Sequence, residues 1–429
     1  MYPFRGLPVR FDTFKTIFRA LSYRNYRYYY IGQSISLIGL WVQNIAMGWL
    51  AYRLTGSALL LGTVAFALQI PSLFITPFAG VLADRWSRKK IIIATQVLSM
   101  LIAFVLAFLT LTDVITVGMI IGLALINGVV LAFDTPFRQS FVPDIITRRE
   151  DLANAIALNS SLYNLARFIG PPIGGVLIAL VGEGWCFFIN GVSFLAVIIA
   201  LMAMRIAKKT QSPRRGSILT QLREGINYAW NFRTIRYLIT LVALSSLFGL
   251  PFQAQMPLFA AEVLQGDSQM LGILTGSLGA GALTGAFFLA SRKNTKSIPV
   301  ITFRAALMFS VGLAIFALST TTALSMIALA VTGFGMIVHF NSTNTLIQSI
   351  ADEDKRGRVV SLYSLTFMGI TPLGSLLVGA LAEYIGVPFT VFAFSLVCLA
   401  SALLFGTRVK SVYRSLIRKL LSTESEQQG

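Results

Sequence analysis

The chain has 429 residues, of which 55% are hydrophobic and only 12% are charged, about half of the ~25% usual in soluble domains. A soluble fold of this size could not cover its surface with so few charges, and the mean hydropathy of +0.75 agrees. The net charge of +18 would favour a nucleic-acid partner in a soluble protein. The basic residues, however, lie between long apolar runs, so the composition indicates an integral membrane protein.

Few side chains suit catalysis or metal binding. The single histidine, His339, lies in an apolar run, as do the two cysteines, Cys186 and Cys398. We therefore expect no metal site, no cofactor and no disulfide framework. An enzyme would need a reactive constellation such as paired carboxylates within the spans, and none is present. The chain also lacks the G-x-x-x-x-G-K-[ST] loop of an ATP-driven pump, which excludes that class.

The apolar runs predict an all-α protein with twelve transmembrane helices. A hydrocarbon core of ~30 Å needs ~20 apolar residues in a helix, and twelve runs reach that length. They lie at 29–54, 59–83, 91–112, 114–133, 152–181, 185–206, 235–260, 270–290, 299–319, 323–347, 359–383 and 387–407.

The basic residues predict the orientation of these spans. With both termini in the cytoplasm, 32 of the 35 Lys and Arg residues fall in inside segments, as the positive-inside rule requires. We expect a multi-pass protein of the cell (inner) membrane that contacts an anionic inner leaflet, and no nucleic-acid partner. The counts are six in 1–27, four in 85–90, three in 134–151, eight in 205–236, three in 291–298, three in 355–358 and five in 408–429.

The longest polar stretch between spans divides the chain into two sets of six. The prediction has an amphipathic cytoplasmic segment at 1–27, a first half at 28–206 and a cytoplasmic linker with an amphipathic helix at 207–234. A second half at 235–407 and a cytoplasmic tail at 408–429 follow.

An internal repeat relates the two halves. Segment 161–177 reads SLYNLARFIGPPIGGVL and segment 361–377 reads SLYSLTFMGITPLGSLL, which match at seven of 17 positions without a gap. The offset contains six spans, so both copies cross the membrane in the same direction. Two six-helix halves related by a parallel pseudo-repeat follow from this pattern. Convergence on a small-residue packing motif is the alternative, but it does not explain the shared Ser-Leu-Tyr.

The loop between spans two and three reads GVLADRWSRKK from Gly80 to Lys90, and it includes Asp84, Arg85, Arg88 and Lys89. Together with the two halves, it resembles the G-x-L-A-D-R-x-G-R-K-x signature of the major facilitator superfamily, although Ser87 replaces the usual glycine. Gly80 would let two helices approach closely. Asp84 could pair with the neighbouring basic residues or face the positive N-terminus of another helix, and the resemblance implies the eleventh helix, a contact that closes the cytoplasmic side. A basic loop that only anchors the protein is the simpler alternative.

Span five carries Gly170-Pro171-Pro172-Ile173-Gly174-Gly175, which is similar to the G-P-x-x-G-G signature of the superfamily's exporters that exchange substrate for protons. Glycines permit close helix contact, and prolines free backbone carbonyls, so the motif suits a helix that rocks against a neighbour. A purely structural kink remains an alternative.

A third cluster, Asp134-Thr-Pro136-Phe-Arg138 and Pro143-Asp144, is similar to the branch that contains enterobactin exporters and macrolide efflux proteins. The resemblance implies an inner gate formed by Asp134, Arg138 and Asp84. Alternatively, Asp134 is a helix cap ahead of Pro136.

Polar residues within spans are candidates for a substrate cavity or for coupling. Arg167 is costly in the bilayer centre and should face a wet cavity or pair with carbonyl groups. His339 could exchange protons near neutral pH, or it could be a neutral side chain that is hydrogen-bonded between helices. The remaining candidates lie on spans one, four, seven and ten, which line the cavity in the superfamily: Gln43, Asn44, Asn127, Gln253, Gln255 and Asn341.

The sequence thus predicts a monomeric secondary exporter that moves a small amphiphilic molecule, siderophore-like or drug-like, out of the cytoplasm by alternating access. Proton antiport is expected from the resemblance, yet no Asp or Glu lies near the middle of any predicted span. Import, lipid or lysolipid flipping by the same fold, and a receptor or scaffold that transports nothing are the alternatives.

Overall fold

The computed structural model describes residues 18–83, 85–204, 227–292 and 295–428 and is helical throughout this part of the chain. Asp84, most of segment 1–27 and most of the predicted linker lie outside the described residues. The helices are α1 Arg24–Thr55, α2 Ala58–Leu82, α3 Arg88–Leu111, α4 Val117–Ile145, α5 and α6 within Leu152–Ala203, α7 Arg233–Val263, α8 Ser268–Ala290, α9 Ile298–Leu318, α10 Thr322–Ile350, α11 Glu353–Ile385, α12 Val387–Gly406 and α13 Val409–Gln428.

Eleven of the described helices are long and apolar enough to cross a membrane. One of them runs from Arg149 to Ala203, and its 55 residues would measure about 80 Å if it were straight. It is interrupted at Gly182, whose φ of 83° and ψ of 169° are not helical. We number the two arms separately, as α5 (152–181) and α6 (183–203).

The break at Gly182 folds the two arms back on each other. Val42 of α1 packs against Gly174 of α5, and its neighbour Gln43 accepts a hydrogen bond from Asn190 of α6 at 2.7 Å. Since 174 and 190 lie equally far along the chain from Gly182, the arms form a hairpin against α1. A glycine is needed here because a positive φ is unfavourable for other residues.

The helices alternate in direction and therefore define two ends of the bundle. The termini end carries the described residues around 18–24, 82–88, 145–152, 290–298, 350–353 and 406–428. The loop end carries the short connections at 56–57, 112–116, 264–267, 319–321 and 386, together with Gly182.

Local capping fixes the connections at the loop end. Gly56 ends α1 in the left-handed conformation with a φ of 60°, the usual arrangement of a helix C-terminus. The Asp267 carboxylate accepts hydrogen bonds from the backbone N–H groups of Gln269 and Met270 at 2.9 and 3.2 Å and so starts α8.

Corresponding positions of the repeat make corresponding contacts. Gly174 packs within its own half on α1, and Gly374 packs within its own half on Leu247 of α7. The next residue along reaches the opposite half in both copies: Gly175 meets α8 at Ser268, and Ser375 meets α2 at Gly62. The sets α1–α6 and α7–α12 thus meet along the pairs α5–α8 and α2–α11.

Large apolar side chains cover the outside of the bundle. Phe108 is 64% exposed, Leu180 is 73% exposed and Ile199 is 64% exposed. Such a surface is stable against hydrocarbon chains and not against water. It agrees with the membrane assignment drawn from the composition.

One predicted boundary is corrected. Helix α4 does not end at 133 but continues through Pro136 and Pro143 to Ile145, so Asp134 lies within the helix. The predicted cap at Asp134 is therefore wrong, and its carboxylate is held by side chains of α3 and α4. The tail after 408 forms α13, whose Val412 and Leu416 are buried against the termini end.

Candidate substrate cavity

A cavity of about 530 Å³ lies between the two halves. Residues of α1, α2 and α5 from the first half and of α7, α8 and α11 from the second half line it. Most of the lining side chains are apolar, as is usual for small-molecule sites. The polar lining residues are Asn44, Gln69, Ser72, Tyr163, Arg167, Gln253, Thr275, Thr371 and Ser375.

Contacts between the halves close the cavity at the loop end. Glu383 of α11 accepts hydrogen bonds from the Ser57 hydroxyl and the Leu59 N–H, both at 3.1 Å. The Gln255 amide of α7 donates to the Ala58 carbonyl at 3.1 Å. Between α5 and α8, the Ser268 hydroxyl donates to the Gly175 carbonyl at 3.1 Å.

The pair α2–α11 separates towards the termini end. At the loop end, a Cβ at Gly62 would clash with the Ser375 carbonyl, so the two backbones touch there. A Cβ at Gly80, five turns further along α2, would have no neighbour within 4 Å. The close helix approach expected at Gly80 is therefore not seen among the described residues, whereas the halves touch at the loop end.

Helix α7 is irregular where it borders the cavity. A π-helical turn at Ser245–Gly249 is followed by a 3-10 segment at Leu250–Gln255. Pro251 and Pro257 cannot donate backbone hydrogen bonds, which accounts for the departure from α-helix. In this segment Gln253 lines the cavity, whereas Gln255 is buried and points to Ala58.

Arg167 brings a positive charge to the cavity wall. Its Nη2 donates to Oε1 of Gln253 across the cavity at 3.3 Å. Its guanidinium carbon lies 5.8 Å from the centre of the Trp41 ring, within reach of a cation–π interaction. The Trp41 ring packs edge-on against Tyr163 at 6.3 Å. No carboxylate lines this cavity in the described residues.

The glycine–proline motif holds this wall in place. Gly170 packs on Trp41 and Gly174 packs on Val42, so one side of the motif supports α1. Its other side meets α8, where Pro171 approaches Gly272 and Pro172 approaches Gly276. The motif thus joins its own half to the opposite half next to Arg167.

A buried polar cluster on α4 centres on Asp134, which is 6% exposed. Oδ2 accepts from Nε of Arg138 at 2.8 Å, and Oδ1 accepts from Thr95 at 2.6 Å and from Gln96 at 3.1 Å. Arg138 also donates to Gln33 of α1. The cluster ties α1, α3 and α4 together and does not touch the cavity.

The basic loop after α2 makes contacts within the first half. Arg88 donates to the Asp144 carboxylate and to the Ser140 carbonyl, both at 2.8 Å. Lys89 donates to the Met204 carbonyl at 2.8 Å, and Arg85 is exposed. The predicted gate residue Asp84 lies outside the described residues, so its contacts stay a prediction.

Five of the predicted cavity residues lie elsewhere. Gln43 is hydrogen-bonded to Asn190, Gln255 to Ala58, and His339 contacts Ser245 at 3.1 Å while it is completely buried. The last arrangement matches the hydrogen-bonded alternative for this histidine. Asn127 is buried on α4, and Asn341 is exposed on α10.

Among the described residues, none from α4 or α10 lines this cavity. Gly128 of α4 packs on Leu68 of α2, and Gly333 of α10 packs on Leu278 of α8. Both helices therefore lie behind the helices that border the cavity. The sequence expectation did not include Trp41, Tyr163, Phe367 or Met368, which line the cavity. Three of these could have been found, since Tyr163, Phe367 and Met368 lie inside the repeated segments.

Comparison with known proteins agrees with this architecture. Residues 15–417 match a family described as transmembrane secretion effector. The staphyloferrin A transporter of Staphylococcus aureus is 24% identical over 89% of this chain and 96% of its own length. The multidrug efflux pump Tap of Mycolicibacterium fortuitum is 26% identical over 82% of this chain and 88% of its own length.

Two further relatives extend the comparison. Macrolide efflux protein A of Streptococcus pyogenes is 23% identical over 83% of this chain and 89% of its own length. The crystal structure of the nucleoside transporter NupG (D323A mutant) superposes with a TM-score of 0.71 at 16% identity, over 89% of this chain and 99% of that one. The chain therefore belongs to the transmembrane secretion effector family of the major facilitator superfamily, whose members are multi-pass membrane transporters and not enzymes.

Proposed function

We propose that this protein is a secondary exporter that moves a small amphiphilic molecule out of the cytoplasm by alternating access. The observation that carries the proposal is the cavity between the halves, which is closed at the loop end and bordered by diverging helices at the termini end. Rocking of residues 28–206 against 235–407 would separate the pairs α5–α8 and α2–α11 at the loop end and close the opposite end. Export is further supported by the names of the staphyloferrin, multidrug and macrolide relatives.

In this proposal, twelve helices span the cell membrane as two six-helix halves in a parallel pseudo-repeat, with both termini in the cytoplasm. The hairpin at Gly182 supports the count of twelve helices. The matching contacts of Gly174 and Gly374, and of Gly175 and Ser375, support the repeat. The charge distribution supports the orientation. Arg53, the basic residue nearest the loop end among those described, is paired with Glu183 at 2.9 Å.

A gate at the termini end completes the cycle. We assign it to the loop 80–90 with Asp134 and Arg138, as the resemblance implies, and Asp84 enters on its sequence alone. In the present conformation, Arg88 and Arg138 bind carboxylates of their own half. Closure would bring this surface against the N-terminal end of α11, where an acidic side chain such as that of Asp84 is favoured by the helix dipole.

Proton antiport is the coupling that we propose. It needs a titratable group inside the bundle, and Asp134 is buried within α4, 11 residues before the helix ends at Ile145. The groups that surround it are Arg138 of α4, Thr95 and Gln96 of α3, and Gln33 and Tyr29 of α1.

The test is accumulation of a panel of fluorescent amphiphiles in cells with and without the protein, each with and without a protonophore. We expect lower accumulation in cells that contain the protein, and loss of this difference when the protonophore is added. Equal accumulation of every compound in both cell types would contradict export. Protonophore-resistant efflux would contradict proton coupling alone.

A further inference from the structure

We propose that Arg167, Trp41 and Gln253 form a subsite for the anionic head group of the transported molecule, and that Phe367 and Met368 on the opposite wall receive its apolar body. The inference rests on the proposed transport function and names the class of its substrate: an amphiphile with a carboxylate or another planar, paired-acceptor anion.

The first argument is the unbalanced charge of Arg167. An arginine side chain remains charged in proteins and offers five N–H donors. In the described structure this guanidinium has one hydrogen-bonding side-chain partner, the neutral amide of Gln253, and no ion pair. A charge in the middle of a membrane protein is expensive unless it faces water or a counter-ion. A bound anion would supply the missing counter-ion.

The second argument is the geometry of the group. The planar fork of arginine matches a carboxylate with two parallel hydrogen bonds, and such charge-assisted bonds are about twice as strong as neutral ones. Trp41 lies 5.8 Å from the guanidinium and orients it by a cation–π contact. The indole N–H of Trp41 is itself buried without a hydrogen-bond partner. The wall therefore holds more donors than acceptors.

The third argument comes from the repeat, because residue 367 occupies the position in α11 that corresponds to Arg167 in α5. Phe367 and Arg167 both line the cavity. Phe367 is held by Phe340, whose ring centre lies 4.8 Å away, and Met368 beside it is 40% exposed. A charged wall thus faces a soft apolar wall, a combination that accepts an amphiphile and disfavours a cation by repulsion.

The subsite also relates binding to the rocking motion. Arg167 belongs to α5 and Gln253 belongs to α7, so their hydrogen bond joins the two halves. An anion that bound the guanidinium would replace the weak bond to the amide and remove this link. Binding of substrate would then loosen one of the contacts that hold the halves together.

The experiment compares probes with identical bodies and different head groups. Purified wild-type protein in nanodiscs is titrated with dansylaminoundecanoic acid and with its primary amide. The variants are Arg167→Gln, Arg167→Lys and, as a matched control, Arg304→Gln, which removes the same charge from an exposed position on α9. Binding is followed by dansyl fluorescence against nanodiscs without protein.

We expect wild type and Arg304→Gln to bind the carboxylate about tenfold more tightly than the amide, equivalent to ~1.4 kcal/mol. Arg167→Gln should bind both probes equally, and Arg167→Lys should retain part of the preference. Binding of the amide probe shows that each variant is folded. Equal binding of the two probes by wild type, or an unchanged preference in Arg167→Gln, would overturn the subsite.

The same probes in proteoliposomes separate this failure from failure of the proposed function. Efflux without a head-group preference would contradict the anion subsite and leave export intact. A head-group preference in binding without any efflux of either probe would contradict export by this protein and leave the subsite intact.

Discussion

Segments 161–177 and 361–377 perform the same task in the two halves, and they differ where the cavity begins. Gly174 and Gly374 each pack within their own half, and the residues that follow them each reach the opposite half. Four residues after the shared tyrosines, the copies diverge to Arg167 and Phe367, which both line the cavity. The shared glycines pack each copy within its own half, whereas the difference at 167 and 367 gives the cavity one charged and one apolar wall.

A second correspondence lies outside the aligned segments. Tyr23, ahead of α1, donates to Asp151 at 2.5 Å, and Tyr228, ahead of α7, donates to Asp352 at 2.9 Å. Each aspartate precedes the helix that contains the repeat. The two halves therefore fasten their first helices in the same way, by a hydroxyl on a carboxylate. The difference at 167 and 367 stands out against this shared framework.

The largest difference between the halves should appear when the Asp134 cluster, which we describe in the first half alone, is removed. Asp134→Ala would leave Arg138 buried without its carboxylate, and breaking one partner of a buried ion pair costs roughly 3–5 kcal/mol. We expect a large fall in the thermal unfolding midpoint. Asn341→Ala, at an exposed position on α10, is the control and should leave that midpoint nearly unchanged. Equal midpoints for wild type and Asp134→Ala would contradict the role of the cluster.

Overpacking the interface tests whether both copies close the loop end. Gly62→Leu and Gly175→Leu would place side chains against the backbone of the opposite half, and overpacking typically costs about 1–3 kcal/mol. Either variant should favour the conformation that is open at the loop end. The measurement is labelling of cysteines introduced at Leu59 and Leu381, with Gly118→Leu on α4, where an added Cβ meets no described neighbour, as a control outside the interface. Slower labelling in the overpacked variants would be opposite to this expectation.

A substitution at Gly80 tests closure of the opposite end of the bundle, the termini end. A Cβ added at this position meets no described atom within 4 Å in the present conformation, so we expect stability to change little. A leucine there would obstruct α2 if that end closed. We expect Gly80→Leu to bind probes as wild type does and to lose most of its transport. Wild-type transport rates in this variant would show that the termini end need not close at Gly80.

The smallest effect concerns the anchor of α13. Hydrogen bonds from Lys419 and Tyr228 hold the pKa of Asp352 below its usual value of 3.8. The anchoring is therefore complete above pH 3.8 and is lost only as the pH falls through the lower pKa of the folded state. Because the carboxylate is half exposed, Asp352→Asn should cost under about 1 kcal/mol. A fluorophore at Tyr413 would report release of α13. Release of α13 between pH 5 and 7 would contradict the anchoring role of the Asp352 carboxylate.

The sequence predicted the framework because its signals are local and repeated. Apolar length located the membrane helices, and the match between the two segments indicated two related halves. Asp134 was misplaced because Pro136 resembles a helix start, whereas side chains from α3 and from α4 itself hold its carboxylate within the helix. The cavity residues were identified in part. Gln253 and Gln255 look equivalent in sequence, and only the irregular turn of α7 decides which of them faces the cavity.

The most direct test of alternating access is a pair of distance measurements by double electron–electron resonance on spin-labelled protein. One pair of labels sits at the loop end, on Leu59 and Leu381, and the other sits at the termini end, on Phe78 and Gly357. The account predicts two distance populations for each pair, with the loop-end distance long when the termini-end distance is short. A single distance for both pairs, under all substrate and pH conditions, would contradict it.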